Sequence, residues 1–463
     1  MKKVLATVAA LGLVLGVTAN ALALDQPGRA QEVEATTAPR VAEPTAPGVA
    51  LWSVAGQWVL AGAYLSNGLG APGGADLWNS DGSNDAFYIY SFKMLPVLQV
   101  NDKIAVKGEF RFADRDVYGL TDTRKTLVGT GLAGETSDLG GRVIDTYQLY
   151  MEWVSPWGKT RFGRTPAGAW GSKFLDNSAQ GNRLMIWLNM LPENWGSLLF
   201  TQKVVEQDAG SGPGVGDQDL DAYYLDLSYK ADFGKTVAAL WFTRNATNGQ
   251  VPYTTSNLWV HGNYNFDAIS LEYEINWGFG EASATLDQKQ LGLYADLGYK
   301  FQDWKFGGLF IYASGDDNPA DGDQGAIMSP SRGTGGDFNP TQILFGDYMN
   351  LLNGDNPLSG DFVYPEVRNA GVMALEAYAS FALSPAMSLN GYFAWATANE
   401  ELSGWDSDYG MEAGIGMGYK LMDNLTYNAH FSYLFTGDFW QGGDSTQNTE
   451  DIYLLAHALS MSF

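Results

Sequence analysis

Charged side chains in this 463-residue chain fall at alternate positions of otherwise apolar stretches. Lys107, Glu109 and Arg111 interleave with Val106, Phe110 and Phe112. Glu272 and Glu274 interleave with Leu271, Tyr273 and Ile275, and Asp226 separates Leu225 from Leu227. Glu152, Arg183, Lys203, Lys230, Asp296, Lys300, Glu376, Glu412 and Lys420 fall in the same phase on similar stretches. A period of two belongs to strands with one apolar and one polar face. Charges on the polar face of a closed sheet can filter ions, or can simply hydrate a wide interior. A slip of one residue would reverse the assignment for a whole strand.

Other reactive groups are sparse. The three histidines are His261, His430 and His457, and there is no cysteine. Thiolate metal sites, haem attachment and a cysteine nucleophile are therefore excluded. Catalysis needs a nucleophile, a base and an orienting group within hydrogen-bond reach. No motif in the chain supplies that set, so no enzyme and no cofactor is expected. The run Gly129-Thr130-Gly131-Leu132-Ala133-Gly134 satisfies G-x-G-x-x-G, but no βαβ pattern surrounds it, and it reads as a flexible loop. Asp316, Asp317, Asp321 and Asp323 open the longest connection, 315–369. Their spacing does not match a calcium loop ending in a bidentate Glu, so no metal is assigned. They are expected at an acidic mouth, on a loop that either folds inward as a constriction or stays outside.

The elements that position these residues follow from the alternation. Strands are expected near 52–64, 87–100, 103–117, 143–155, 159–170, 183–191, 195–207, 221–232, 235–245, 256–266, 268–278, 289–301, 304–314, 370–383, 387–398, 409–421, 425–436 and 450–463. These are about 18, and long and short connections alternate between them. Pro156-Trp157-Gly158, Asp267 and Ser384-Pro385-Ala386 are tight, whereas 65–86, 118–142, 279–288 and 315–369 are long. Membrane barrels have short turns on the periplasmic side and long loops outside. The fold expected is an all-β, transmembrane, antiparallel up-and-down barrel over residues 50–463, with both ends of the barrel chain periplasmic. Trp153, Trp157, Trp195, Trp277, Trp304, Trp395, Tyr299, Tyr419 and Tyr433 fall near strand ends, as girdle aromatics do.

Before the barrel, residues 1–23 read as a signal peptide, with Lys2 and Lys3, an apolar core and Ala21-Leu22-Ala23. Residues 24–49, rich in Pro, Ala, Thr and Glu, read as a disordered periplasmic linker. The mean hydropathy is −0.15 and no apolar run is long enough for a spanning helix. The formal net charge of −25 argues against nucleic acid as a partner. Outer-membrane lipid, small polar solutes and the barrel-assembly machinery are the partners expected, and a homotrimer is left open. Phe463, closing an alternating apolar strand, fits either a sorting signal or a girdle aromatic.

With this pattern the chain resembles Gram-negative porins. More narrowly, Tyr312-Ala313-Ser314-Gly315-Asp316-Asp317-Asn318-Pro319-Ala320-Asp321-Gly322 and Arg161-Phe162-Gly163-Arg164 look like the alginate-export type of 18-stranded barrel. The resemblance implies a passive channel, and in the export branch a basic lumen for an acidic polysaccharide. The lumen candidates here number seven basic and eight acidic, which departs from that branch. A general pore for small hydrophilic solutes with a mild cation preference is the function expected. A dedicated exporter or uptake channel, and a structural sheath around an electron-transfer partner, are the alternatives.

Overall fold

The computed structural model describes residues 51–68, 75–78, 80, 82–117, 144–166, 171–172, 174–175, 180–205, 219–246, 253–283, 285–318, 320–327, 338, 340–345 and 365–463. The expected signal peptide, the linker and the Gly129–Gly134 loop lie outside them.

The strands run β1 (Leu51–Gly68), β2 (Ser83–Gln99), β3 (Ile104–Val117), β4 (Asp145–Ser155), β5 (Gly158–Pro166) and β6 (Gln180–Leu188). They continue as β7 (Trp195–Val205), β8 (Leu220–Ala231), β9 (Gly234–Asn245), β10 (Tyr253–Phe266), β11 (Ile269–Ser283), β12 (Leu286–Phe301) and β13 (Trp304–Ala313). The two-residue β14 (Asp323–Gln324) precedes β15 (Val372–Ser384), β16 (Met387–Thr397), β17 (Asp408–Met422), β18 (Leu425–Thr436) and β19 (Ile452–Ser462). Each barrel strand pairs antiparallel with its neighbours, β13 pairs with β15, and β19 pairs back onto β1. The result is a closed ring of eighteen strands, with β14 outside it, running parallel beside the end of β12. Closure removes the unpaired edges that hydrocarbon would not tolerate.

One end carries only tight connections, among them Asp267-Ala268 and Gln302-Asp303, where Asp267 and Gln302 adopt φ of 52° and 55°. The other end carries the long connections, with one exception. The expected loop 279–288 is largely ladder, because β11 runs on to Ser283 and β12 starts at Leu286. Alternation lapses there in Gly278-Phe279-Gly280-Glu281, yet backbone pairing needs no side-chain pattern, and a bulge between Glu281 and Ser283 absorbs the irregularity.

Outside the ring, Phe162, Leu225, Trp277, Leu297, Phe393, Ile415 and Leu455 are exposed, and a soluble sheet would have to cover them. Trp195 packs on Tyr229 at 5.1 Å, and Trp304 on Phe381 at 4.5 Å, at the turn end, forming the girdle. The apolar core is inside the ring, at its loop end. Phe174, Leu175, Ile327, Phe338, Ile343, Leu344 and Phe345 come from loops and pack against inward residues of β1, β15 and β19. Small inward side chains, including Ala61, Ala63, Ala374, Ala396, Ala456 and Ala458, leave room for them.

Candidate functional site

Two connections turn into the lumen and are held there by carboxylates of the wall. Glu412 projects inward from β17 and is fully buried. Its Oε1 accepts the N–H groups of Gln342 at 2.9 Å and Ile343 at 3.0 Å, and its Oε2 accepts that of Leu344 at 2.8 Å. The Tyr392 hydroxyl donates to the same carboxylate at 2.6 Å. Hydrogen bonds to an ionised acceptor are the strong ones, and here they satisfy backbone groups that are out of reach of strand pairing. Five strands round the ring, Glu274 on β11 takes the N–H of Ser172 at 2.8 Å and its hydroxyl at 2.7 Å. Gly171 makes this approach possible: its φ is +60°, and a Cβ there would collide with the Glu274 carboxylate. The two segments meet where Phe174 packs on Phe338 at 5.2 Å and on Tyr294 at 6.3 Å.

The register turns the side chains of Lys107, Glu109, Arg111, Glu152, Arg183, Asp226, Lys230, Glu272, Glu274, Asp296, Lys300, Glu376, Glu412 and Lys420 inward. Lys203 is corrected. It lies opposite Asn182 and Asp221, on the outward face shared with Leu184 and Tyr223. The sequence Thr201-Gln202-Lys203-Val204 gives no clear alternation, and the inward position belongs to Gln202, which accepts from Arg183 Nε at 2.7 Å. Lys93, Lys159 and Arg161 also face inward and were missed. The exposed Phe162 fixes the phase of its strand, so Arg161 could have been placed by that residue alone.

The basic share is highest on β2 to β6. Lys93, Lys107, Arg111, Lys159, Arg161 and Arg183 lie on β2 to β6, with Glu109 and Glu152 among them. Glu152 receives Lys107 and Arg161, each at 2.9 Å, and Glu109 receives Arg111 at 2.9 Å. Lys159 and Arg161 lie 4.5 and 4.9 Å from the Trp187 ring, a favourable geometry for a cation over an aromatic face. Glu272, Glu274, Asp296, Glu376 and Glu412 lie on β11 to β17, half way round the ring, with Lys300, Lys305 and Lys420 on the same strands nearer the turn end. His261 Nε2 is 3.0 Å from Glu272 on that side.

At the mouth, Asp316 caps its own turn, accepting from Asn318 N at 3.2 Å and Gly325 N at 3.3 Å. Asp321 accepts from Asp323 N at 2.8 Å, and Asp323 pairs with Lys289 at 2.6 Å. Asp317 and Asp316 crowd Glu400 of the neighbouring loop, whose carboxyl is pushed up first by burial and then by these two charges. At the turn end Lys420 lies 2.8 Å from Asp423 and holds that carboxyl below its usual range. Phe463 N and O bond Gly56 O and N at 3.0 and 2.8 Å, and its exposed ring stacks near Phe92.

An apolar exterior, a closed ring and charged side chains facing inward define an outer-membrane-type β-barrel. Solved structures share its fold. OccK9 (OpdG) of Pseudomonas aeruginosa superimposes with a TM-score of 0.53 at 13% identity, covering 89% of this chain and 98% of that one. OccAB4 of Acinetobacter baumannii gives 0.51 at 8% identity, with the same coverage. OpdK of Pseudomonas aeruginosa with vanillate gives 0.50 at 11%, again over 89% and 98%. No family model and no curated relative matches the sequence.

Proposed function

We propose that the chain is a passive outer-membrane channel for small hydrophilic solutes. The observation that carries this is the pair of inward segments pinned on Glu412 and Glu274 inside a closed ring whose β3 to β6 wall carries Lys107, Glu109, Arg111, Glu152, Arg161 and Arg183. Solutes pass between that basic stripe and the acidic wall opposite, so molecules with separated or mixed charge are oriented as they cross. The vanillate in the OpdK structure, a carboxylate, supports a stripe that handles small organic anions. A polymer exporter would call for a lumen lined by one sign of charge, and the inward charges of the described residues are mixed.

The mild cation preference is a property of the mouth. Asp316, Asp317, Asp321, Glu400, Glu401, Asp406 and Asp438 gather near the loop end, whereas the inward charges along the barrel wall are of both signs. Cations are therefore enriched at low salt, when the Debye length is about 30 Å, and the bias fades towards 1 M, when it is about 3 Å. Reversal potentials across KCl gradients at both salt levels test this. Cation preference at low salt that declines at high salt is expected, and absence of single-channel current from the reconstituted protein sinks the channel reading. Phe463 is proposed as a sorting residue as well as a girdle aromatic. Its deletion should reduce outer-membrane levels but leave the conductance of inserted barrels unchanged.

A further inference from the structure

On the turn side of Glu412 the inner wall carries a panel without carboxylate, ammonium or guanidinium groups. Strand register sets its inward positions in three rows across β15 to β19. The upper row, next to the lid, is Tyr378, Tyr392, Gly414, Ser432 and Leu454. The middle row is Ser380, Asn390, Gly416, His430 and Ala456. The lower row is Ala382, Ser388, Gly418, Asn428 and Ala458. Glu376 and Glu412 border the panel above, and Lys420 borders it below. At about 3.4 Å per residue, the stretch from Gly414 to Gly418 is roughly 14 Å long.

The three glycines of β17 govern how the flanking side chains lie. A Cβ on Gly416 would collide with Asn390 Oδ1 on one side and with the His430 ring on the other. On Gly418 it would stand 2.9 Å from Ser388 Oγ and 3.2 Å from Asn428 Oδ1, and on Gly414 it would strike the Tyr392 ring. Side chains of β16 and β18 therefore fold flat over β17, and their polar tips converge.

The rows differ in what satisfies those tips. In the upper row the Tyr392 hydroxyl is bonded to Ser432 at 2.8 Å and to Glu412 at 2.6 Å, so it serves the lid. In the middle row both ring nitrogens of His430, Asn390 Oδ1 and Ser380 Oγ are buried without a hydrogen-bond partner. His430 is only 4% exposed. Buried polar atoms are nearly always paired, so unpaired ones on all three polar residues of one row mark a place for an outside partner. Ser380, Ser388, Asn390 and Asn428 are half-buried on the inward face, which puts the row within reach of a solute in the lumen.

The chemistry of that partner follows from the groups. A hydroxyl, an amide, and an imidazole with one donor and one acceptor match a molecule whose neighbouring groups both donate and accept. Adjacent hydroxyls of a polyol do so. An organic anion would need a cation here, and a cation would need a carboxylate, and the middle row offers neither. We propose that Ser380, Asn390 and His430 form a binding step for neutral polyols. The inference rests on the reading of the chain as a channel and names a solute class for it.

The test uses the full barrel in liposomes, with sorbitol as the probe and gluconate as its charged counterpart. Sorbitol influx through the wild type should saturate with concentration. His430→Leu and Asn390→Leu keep bulk and remove the polar atoms. Each should raise the half-saturating concentration roughly tenfold, as the loss of one or two hydrogen bonds does. Ser380→Ala disturbs packing least and should raise it about threefold. Gluconate influx should not change, and KCl conductance, which depends on the charged walls, reports that the variants are folded. Sorbitol influx that rises linearly in the wild type, as a row occupied by water alone would give, overturns the proposal. So does a half-saturation unmoved in all three variants, and either result leaves the channel reading intact. Barrels that pass neither KCl nor gluconate would remove the channel reading, and this inference with it.

Discussion

The interior of this barrel has two contrasting walls. On β2 to β6 the inward positions mix apolar residues, such as Phe87, Ile89 and Met185, with charges that satisfy one another, as in Lys107–Glu152–Arg161. On β15 to β19 and β1 the inward positions are largely Ala, Leu and Ile towards the loop end, and loop residues cover them. The first wall needs solvent, whereas the second needs a lid. Glu412 is an exception within the covered wall, a carboxylate where its neighbours are apolar, and it is there to hold the lid. The contrast teaches that the same inward phase serves conduction on one side and packing on the other.

The comparison breaks most severely at Glu412. Glu412→Ala removes the acceptor of three backbone N–H groups, and each one left buried and unpaired costs about 1–3 kcal/mol. The segment 340–345 should leave the wall, and single-channel recordings should show a larger and noisier conductance. An unchanged conductance would mean that the pinned segment does not narrow the path. Phe345→Ala tests the packing of the lid rather than its pin. It should cost about 3–5 kcal/mol locally, and proteolysis of the 314–371 connection in folded barrels should quicken.

How much of this was legible in the sequence follows from the same two walls. Alternation between polar and apolar residues revealed β3, β8 and β18 close to their true limits, because one face meets lipid and the other the interior of the ring. It revealed β1 and β19 as strands but not as the covered wall. Ala61, Ala63, Leu65 and Ile452, Leu454, Ala456 are apolar where a hydrated lumen asks for polar residues, and that departure was the available sign of a lid. The pins were named as inward carboxylates, but their role depends on Gln342, Ile343, Leu344 and Ser172, which act through backbone N–H groups that any residue carries. No residue type encodes such a contact. Lys203 was placed on the wrong face because polar residues fill both phases around it.

Smaller effects sharpen the contrast. Arg161→Gln leaves Glu152 with Lys107 alone and removes a charge from the open wall, so the reversal potential should move towards cations. Neutralising the four aspartates Asp316, Asp317, Asp321 and Asp323 should move it the other way at low salt. The smallest effect belongs to Glu400. Its carboxyl is raised in the folded protein, so the folded state binds the proton more tightly than the unfolded one. That contribution is present at low pH and is lost as pH rises from the ordinary value, about 4.3, through the raised one. Exchange of the Asn399 and Glu400 amides, which bond Ala370 O at 2.9 and 2.8 Å, should therefore quicken over that range. Glu400→Gln should flatten the profile, and a wild-type profile already flat would remove Glu400 from the joint between the two loops.

The seam between β1 and β19 has a consequence for the order of events. It brings together residues as distant as Tyr64 and Tyr453, 389 positions apart, through a ladder from Gln57–Ser462 to Leu65–Leu454. Every other seam of the ring joins strands that are neighbours in the chain. Seventeen hairpin-like pairings can form as each strand arrives, but the final one has no local precursor. Until it zips, two edges of the sheet remain open, each seeking a partner. A cell that makes this chain therefore needs something to occupy those edges, and the lifetime of the half-closed sheet sets the window in which two copies can exchange strands by mistake.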